Sequence, residues 1–383
     1  MTEVKNPEPS VFIQFAGQGV KYMEDLRRLY ETNVDIRPFI QDAISEIRKQ
    51  KSYYDDSQTN FFSFGLDVDQ WIAYPEKTPD LGYLLSSPIS HPLIYLAQIS
   101  EYIAILQQGV DQKLLLGHTH SVTGFSTGIV AAILVSMGLG LNDLWHMAIK
   151  VQAMFFWQGI RTQQSMLTFG VNPKLDGELY NSPEGCPSAM ASINNLTRGR
   201  LDKAIELFSG EGAIYVAYEL FPGRFIVSGL PHHLERFHAF LKTQGNDVAW
   251  RYIPSTIGAH SPFLGPSLGW SPTDADILGV RFNGPDMKLP VWSNDTGDDL
   301  RKFPNIMHEV IRAYYISTGV WRKQIHPLLP PTRIKYVLDF GPGTGVASLT
   351  ENHTSRVGIK IIRCTLPIGK KQLLEEVMPS LAG

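Results

Sequence analysis

The chain has 383 residues, 43% hydrophobic and 19% charged, with Lys+Arg 34 against Asp+Glu 37 and a formal net charge of -3. That length supplies a core for one large or two smaller domains. The balanced charge leaves no electrostatic footprint for nucleic acid or an anionic membrane. No run of eighteen apolar residues occurs, and the start, Met1 to Pro9, has no apolar leader, which makes a cytoplasmic protein the expectation. Two cysteines, Cys186 and Cys364, make neither a disulfide framework nor a Cys-rich zinc site, so no metal is expected. The Asn-x-Thr triplets at Asn195, Asn294 and Asn352 are then chance matches.

In chain order, Val11 to Ala16 reads as a buried strand, followed by helical patterns at Glu24 to Tyr30 and Ile36 to Lys49. A long helix is expected over Pro92 to Leu106. It leads through the apolar Leu114 to Leu116, taken with a short Gly/Thr/Ser loop as the strand approach, into Gly124-Phe125-Ser126-Thr127-Gly128 and a helix over Ile129 to Met137. Helical spacing resumes at Leu141 to Arg161. Between about 166 and 254 the pattern changes. Strands at Ser188 to Ile193, Ala213 to Leu220, Arg224 to Ser228 and Val248 to Ile253 alternate with helices after Thr197 and over Pro231 to Thr243. That order is β-α-β-β-α-β, a ferredoxin-like unit inserted in a larger α/β domain of residues 1–165 and 255–383. Strands are expected again near Val291 to Ser293 and Ile334 to Phe340.

The pentapeptide around Ser126 has the GxSxG form of a nucleophile elbow. Glycines two residues either side permit a sharp strand-to-helix turn, which exposes the hydroxyl beside helix-start amides. Two more features fit acyl chemistry. The segment Phe15-Ala-Gly-Gln-Gly19 ends a strand with a glycine-flanked glutamine, suited to placing a backbone amide near a developing oxyanion. His260, in Gly258-Ala-His-Ser-Pro262, is available downstream as general base. Ser121, beside His118 and His120, is a second candidate nucleophile but lacks flanking glycines. The turn Gly341-Pro-Gly-Thr-Gly345 lacks both the Lys-Ser/Thr of a P-loop and the third glycine of a dinucleotide fingerprint, and reads as a tight turn near the site.

FAGQG at 15–19, GFSTG at 124–128, the inserted unit, AHSP at 259–262, PVWSN at 290–294 and DFGPG at 339–343 together resemble the acyl-carrier-protein acyltransferases of fatty acid and polyketide synthases. CPSAMASINNLT at 186–197 looks most like the fungal branch, which holds the acetyltransferase region of fungal fatty acid synthase and the starter-unit acyltransferases of fungal non-reducing polyketide synthases; the stretch at 67–98 resembles the second, with the first as the alternative. The resemblance implies an α/β-hydrolase-like large subdomain carrying the ferredoxin-like one. It also implies Ser126 as nucleophile, His260 as base, backbone amides of Gln18 and Thr127 as the oxyanion hole, and the backbone carbonyl of Asn294 orienting the histidine.

No cofactor is expected beyond the phosphopantetheine carried by coenzyme A or by an acyl carrier protein, which enters as substrate. The implied donor is an acyl-CoA or the carrier of an upstream reducing synthase, and the acceptor an acyl carrier protein. Malonyl-selective relatives have a histidine before the nucleophile and an arginine about twenty-five residues after it. Here Phe125 occupies the first position and Val151 or Gln152 the second, so a malonyl carboxylate would be buried without a counter-ion. Ala259, before the histidine, leaves room for more than two carbons. Phe125, Gln152 and Ala259 are therefore expected to shape a pocket for an uncharged, short-to-medium or branched acyl group. Two rival readings are an α/β-hydrolase-type esterase or thioesterase with the same elbow and a catalytically silent carrier-docking domain.

Overall fold

Two sheets divide the work of this chain. The computed structural model describes residues 8–172, 174–245 and 248–382; residues 1–7, the greater part of the stretch on which the no-leader expectation rests, lie outside it. The first sheet is four-stranded and parallel, in the order β2 (Thr119–Gly124), β1 (Val11–Phe15), β8 (Tyr336–Asp339), β9 (Lys360–Arg363). Its central strand, β1, is buried at every position, as expected where helices cover both faces.

The helix Ser87–Gln107 is buried over almost its whole length, which explains its apolar, unpatterned sequence. It packs on the helix Leu141–Leu167, where Tyr95 stacks on Phe155 with ring centroids 4.7 Å apart. At Gly159 the crossing is so close that a Cβ would sit 2.6 Å from the Ser87 carbonyl oxygen.

The approach to the serine differs from the sequence reading. Leu114 to Leu116 belong to a short helix, Gln112–Gly117, capped by the Asp111 side chain, which accepts from the amides of Lys113 and Leu114. The strand is the polar stretch Thr119–Gly124, buried because β1 lies on one side and Pro290–Val291 on the other. The strand expected at Val291 to Ser293 is reduced to two isolated bridges, Val122 to Val291 and Trp292 to Asp299.

The second sheet has the order β6 (Ala249–Ile253), β3 (Met190–Asn194), β5 (Arg224–Gly229), β4 (Ile214–Phe221), β7 (Gly319–Val320). Its first four strands with the helices Arg198–Phe208 and Pro231–Thr243 give the ferredoxin-like β-α-β-β-α-β order. One face packs Ile193, Phe225, Val227 and Trp250 against Leu201, Phe208, Leu234 and Phe237 of those helices. The two-residue strand β7, from far outside 166–254, pairs with Tyr218 and Glu219 and ties this sheet to the rest of the fold. Among the described residues no helix is long and apolar enough to cross a membrane.

Candidate active site

Strand β2 ends at Gly124, and a 3-10 turn from Ser126 to Gly128 runs into the helix Ile129–Ser136. Ser126 holds φ at +53°, a left-handed conformation that an L-residue adopts only under constraint. The constraint is the glycine pair. A Cβ on Gly124 would lie 2.0 Å from the Gly128 carbonyl carbon, and one on Gly128 would lie 2.1 Å from the Ala16 carbonyl oxygen. Only glycines allow the turn to close on itself and on β1.

That closure also brings in the FAGQG loop. A Cβ on Gly17 would sit 3.2 Å from the Ser126 Cβ, so the backbone just before Gln18 touches the serine. The Gln18 side chain donates to Ser90 Oγ at 2.9 Å, and Gln98 Nε2 donates to the Ala16 carbonyl at 2.5 Å, which fixes the loop to the long helix. The amide of Thr127 lies in the first turn of its helix, where N–H groups have no intrahelical acceptor. Gly341, in the turn after β8, accepts from the Ala16 amide at 2.8 Å, while the buried Asp339 accepts from the Gly341 amide at 3.0 Å and from Gln14 at 2.6 Å. The glycine turn therefore buttresses the loop that abuts the serine.

His260 Nε2 stands 2.9 Å from Ser126 Oγ. The histidine is also left-handed, with φ at +55°. Its Nδ1 lies 2.8 Å from the Ser317 carbonyl oxygen, which can only accept, so Nδ1 carries the proton and Nε2 presents its lone pair to the serine. Burial pushes the His260 pKa down to about 4, against smaller opposing contributions from the Ser317 carbonyl and Asp295. The imidazole is neutral at pH 7. Ser317 is itself held by Arg312, which donates to its hydroxyl at 2.7 Å and pairs with Asp295 at 3.0 Å and with Glu309.

The carbonyl at Nδ1 thus belongs to Ser317 and not to Asn294. The Asn294 carbonyl turns toward β7, accepting from the Val320 amide at 2.8 Å and from Gln324 at 3.3 Å. Its side chain instead donates to the carbonyls of Gly124 at 3.3 Å and Ser126 at 3.4 Å, bracing the elbow from below. Sequence reasoning had no means to find Ser317, since any residue type supplies a carbonyl.

The three expected pocket residues part company. Phe125 lines a cavity of about 510 Å³ together with Gly17 and Gln18. It stacks on Tyr218 at 4.3 Å and meets Trp321 at 5.5 Å, and Tyr218 packs edge-on against His260 at 5.0 Å. Gln152 is fully buried off this cavity, donating to the Pro92 carbonyl at 2.8 Å, and Val151 is buried as well. Ala259 lies in the core, its carbonyl accepting from Ser228, and like Ser126 and His260 it is not in the lining of that cavity. The helix holding Gln152 presents that side chain to the Pro92 carbonyl of the long helix, and the turn at His260 sets the Ala259 carbonyl against Ser228 of β5. The alternative Ser121 is wholly buried within β2 and bonded to His120 at 2.9 Å, away from His260.

A serine at a strand-to-helix elbow, a neutral histidine on its hydroxyl and an inserted ferredoxin-like unit define the acyltransferase fold of this class. The chain is similar to malonyl CoA-acyl carrier protein transacylase from Clostridium perfringens, with a TM-score of 0.68 at 16% identity, over 97% of this chain and 99% of that one. Residues 13–260 match the family described as starter unit:ACP transacylase in aflatoxin biosynthesis, and the chain belongs to that family of acyl-transferring enzymes. Among curated proteins it is 28% identical to the fatty acid synthase beta subunit TOXC of Cochliobolus carbonum over 95% of its length, and 27% identical to the fatty acid synthase beta subunit of Saccharomyces cerevisiae over 91%. It spans 18% of each of those two relatives.

Proposed function

We propose that this chain is a starter-unit acyltransferase. It takes an uncharged acyl group from coenzyme A or a donor carrier onto Ser126 and delivers it to the phosphopantetheine thiol of an acyl carrier protein. The observation that carries the reading is the 2.9 Å contact between Ser126 Oγ and the buried, neutral His260. His260 Nε2 takes the serine proton as Oγ attacks the thioester carbon, and the Ser317 carbonyl stabilises the imidazolium that forms. The oxyanion falls to the amides of Gln18 and Thr127. The proton then passes from His260 to the departing thiolate, the C–S bond breaks, and an acyl-serine remains. A carrier thiol reverses the sequence.

The uncharged substrate is supported by what surrounds the serine. Its close neighbours are Gly17, Phe125, Asn294 and His260, with Gln152 turned away toward Pro92. A carboxylate bound there would lose its hydration with no cation in return. A second reading, an acetyltransferase like the corresponding region of a fatty acid synthase, is favoured by the relatives and by the aromatic stack. Phe125, Tyr218 and Trp321 pack on one another beside the serine.

A panel of acetyl, butyryl, hexanoyl and malonyl thioesters, read by intact protein mass, separates these. Acylation of the wild type by uncharged donors, lost in Ser126→Ala, is expected. Preferred loading of acetyl selects the second reading, and preferred loading of malonyl overturns the uncharged substrate. Adding a carrier protein must draw the acyl group from Ser126 faster than water does; release of free acid at one rate with and without carrier makes the protein a thioesterase.

A further inference from the structure

The cavity beside Phe125 has a wall that the acyl chemistry leaves unused. Strand alternation puts one face of the second sheet under its helices and turns Ser192, Asn194, Arg224, Ile226, Arg251 and Ile253 the other way. All six line the cavity. Arg224 stands opposite Asn194 in the β3–β5 pairing, and Arg251 opposite Ser192 in the β3–β6 pairing. Among the described residues they are the only charged ones in the lining, which contains no Asp or Glu.

Neither arginine is neutralised among the described residues. Glu219, on the strand beyond β5, is paired with Arg198 at 3.6 Å. Arg251 reaches only the backbone carbonyls of Pro183 at 3.4 Å and Tyr180 at 3.5 Å. Between the arginines, Ser192 Oγ and Asn194 Oδ1 are buried without a hydrogen-bond partner. Unpaired cations flanking unsatisfied polar atoms on a cavity wall describe a site built for an anion with hydroxyl or amide groups attached. Both arginines are exposed residues of the lining, whereas Phe125, the neighbour of Ser126 in the chain, lines the same cavity from the elbow.

We propose that Arg224 and Arg251 form a phosphate subsite that holds the phosphate ester of the phosphopantetheine arm while its thioester lies at Ser126. This rests on the acyl-transfer reading above. The arm fits the wall in sequence: an anion at the mouth, amide and hydroxyl groups along Ser192 and Asn194, and an acyl thioester at the apolar end by Phe125. Coenzyme A and a carrier protein both present this phosphate. The subsite serves either source.

Single-turnover acylation of Ser126 by S-acetyl or S-hexanoyl pantetheine, phosphopantetheine and coenzyme A tests it, in the wild type and in Arg224→Ala, Arg251→Ala and Arg224→Lys. The wild type is expected to prefer phosphopantetheine to pantetheine. Arg224→Ala or Arg251→Ala should lower kcat/KM for phosphopantetheine and coenzyme A by about tenfold, the double variant by more, with pantetheine unchanged and Arg224→Lys in between. A holo-carrier acceptor should show the same loss. Equal wild-type use of pantetheine and phosphopantetheine, or arginine variants that lower all donors alike, overturns the subsite. Loss confined to coenzyme A also overturns it, since the nucleotide phosphates would then be the ligand. If wild-type protein takes no acyl group from pantetheine, phosphopantetheine or coenzyme A, the acyl-transfer reading itself fails.

Discussion

The parallel sheet and the mostly antiparallel one are built from the same kinds of residue but solve different problems. The parallel sheet has a wholly buried central strand and ends in tight turns whose backbones approach closely: Gly124 on Gly128, Gly128 on Ala16, Gly17 on Phe125. Those close approaches leave the elbow little room to move. The second sheet buries one face under its helices, and on the other, beside buried residues such as Tyr218 and Ser228, Ser192 and Asn194 line a cavity with polar atoms that lack partners. Geometry for chemistry comes from the first and room for a ligand from the second. Substitutions at the parallel-sheet turns and their histidine should therefore abolish catalysis or folding, whereas those on the cavity wall should change substrate use.

The largest effect is expected where the first sheet meets its base. His260→Ala should lower the rate of Ser126 acylation on the order of 10⁴-fold or more, by loss of the proton acceptor. Rapid-quench acylation with an intact circular dichroism spectrum checks this; a loss below about tenfold would remove His260 from the mechanism. Gly128→Ala tests the backbone contacts. Its Cβ would meet the Ala16 carbonyl oxygen at 2.1 Å, an overlap with main chain that no rotamer relieves. A cost above about 3 kcal/mol is expected, seen as insoluble protein or a large fall in urea midpoint. Wild-type stability in that variant would mean that the elbow and β1 are not packed as described.

The pH profile comes next in size. His260 has its pKa pushed down to about 4 by burial, below the ordinary 6.5, so the base is competent when unprotonated and is lost as pH falls through 4. The acylation rate should be flat from about pH 5.5 to 8 on this group and drop about tenfold per unit below 4. Folding follows the same direction: the unfolded state protonates this histidine first, so its contribution to stability is complete above pH 6.5 and fades as pH falls from there toward 4. An acid limb centred near 6.5 would show that the histidine is more solvated than its 2% exposure implies.

What the sequence disclosed follows the same division. The second sheet alternates, so its strands and helices were readable from period alone; the helix Pro231–Thr243 has the expected bounds and Thr197 caps the helix Arg198–Phe208. The elbow was readable because its glycines are required by contact. By contrast, β2 reads Thr-His-Ser-Val-Thr-Gly, polar residues buried by neighbours that lie far away in sequence, while the apolar Leu114 to Leu116 drew the strand assignment onto a helix. The orienting carbonyl of Ser317 left no mark in residue type, and Asn294 attracted that role through a motif although its side chain, not its carbonyl, faces the elbow. Neighbouring the histidine in sequence likewise does not fix which way a left-handed turn points the residue before it, and Ala259 lies in the core.

The smallest effect concerns strain at the nucleophile. Ser126 sits at φ +53°, a conformation that costs an L-residue about 1 to 2 kcal/mol. Ser126→Ala keeps the Cβ and hence the strain; Ser126→Gly removes both. Both variants are expected to be inactive, so the comparison isolates backbone energy from chemistry. Glycine also loses more chain entropy on folding, about 0.5 to 1 kcal/mol, which offsets part of the relief. The expected outcome is that Ser126→Gly matches or exceeds Ser126→Ala in denaturation midpoint, by up to about 1 kcal/mol. At an ordinary helical position the order is reversed. If glycine proves less stable than alanine by the usual margin, the elbow stores no strain, and the serine is held by the closing contacts at Gly124 and Gly128 alone.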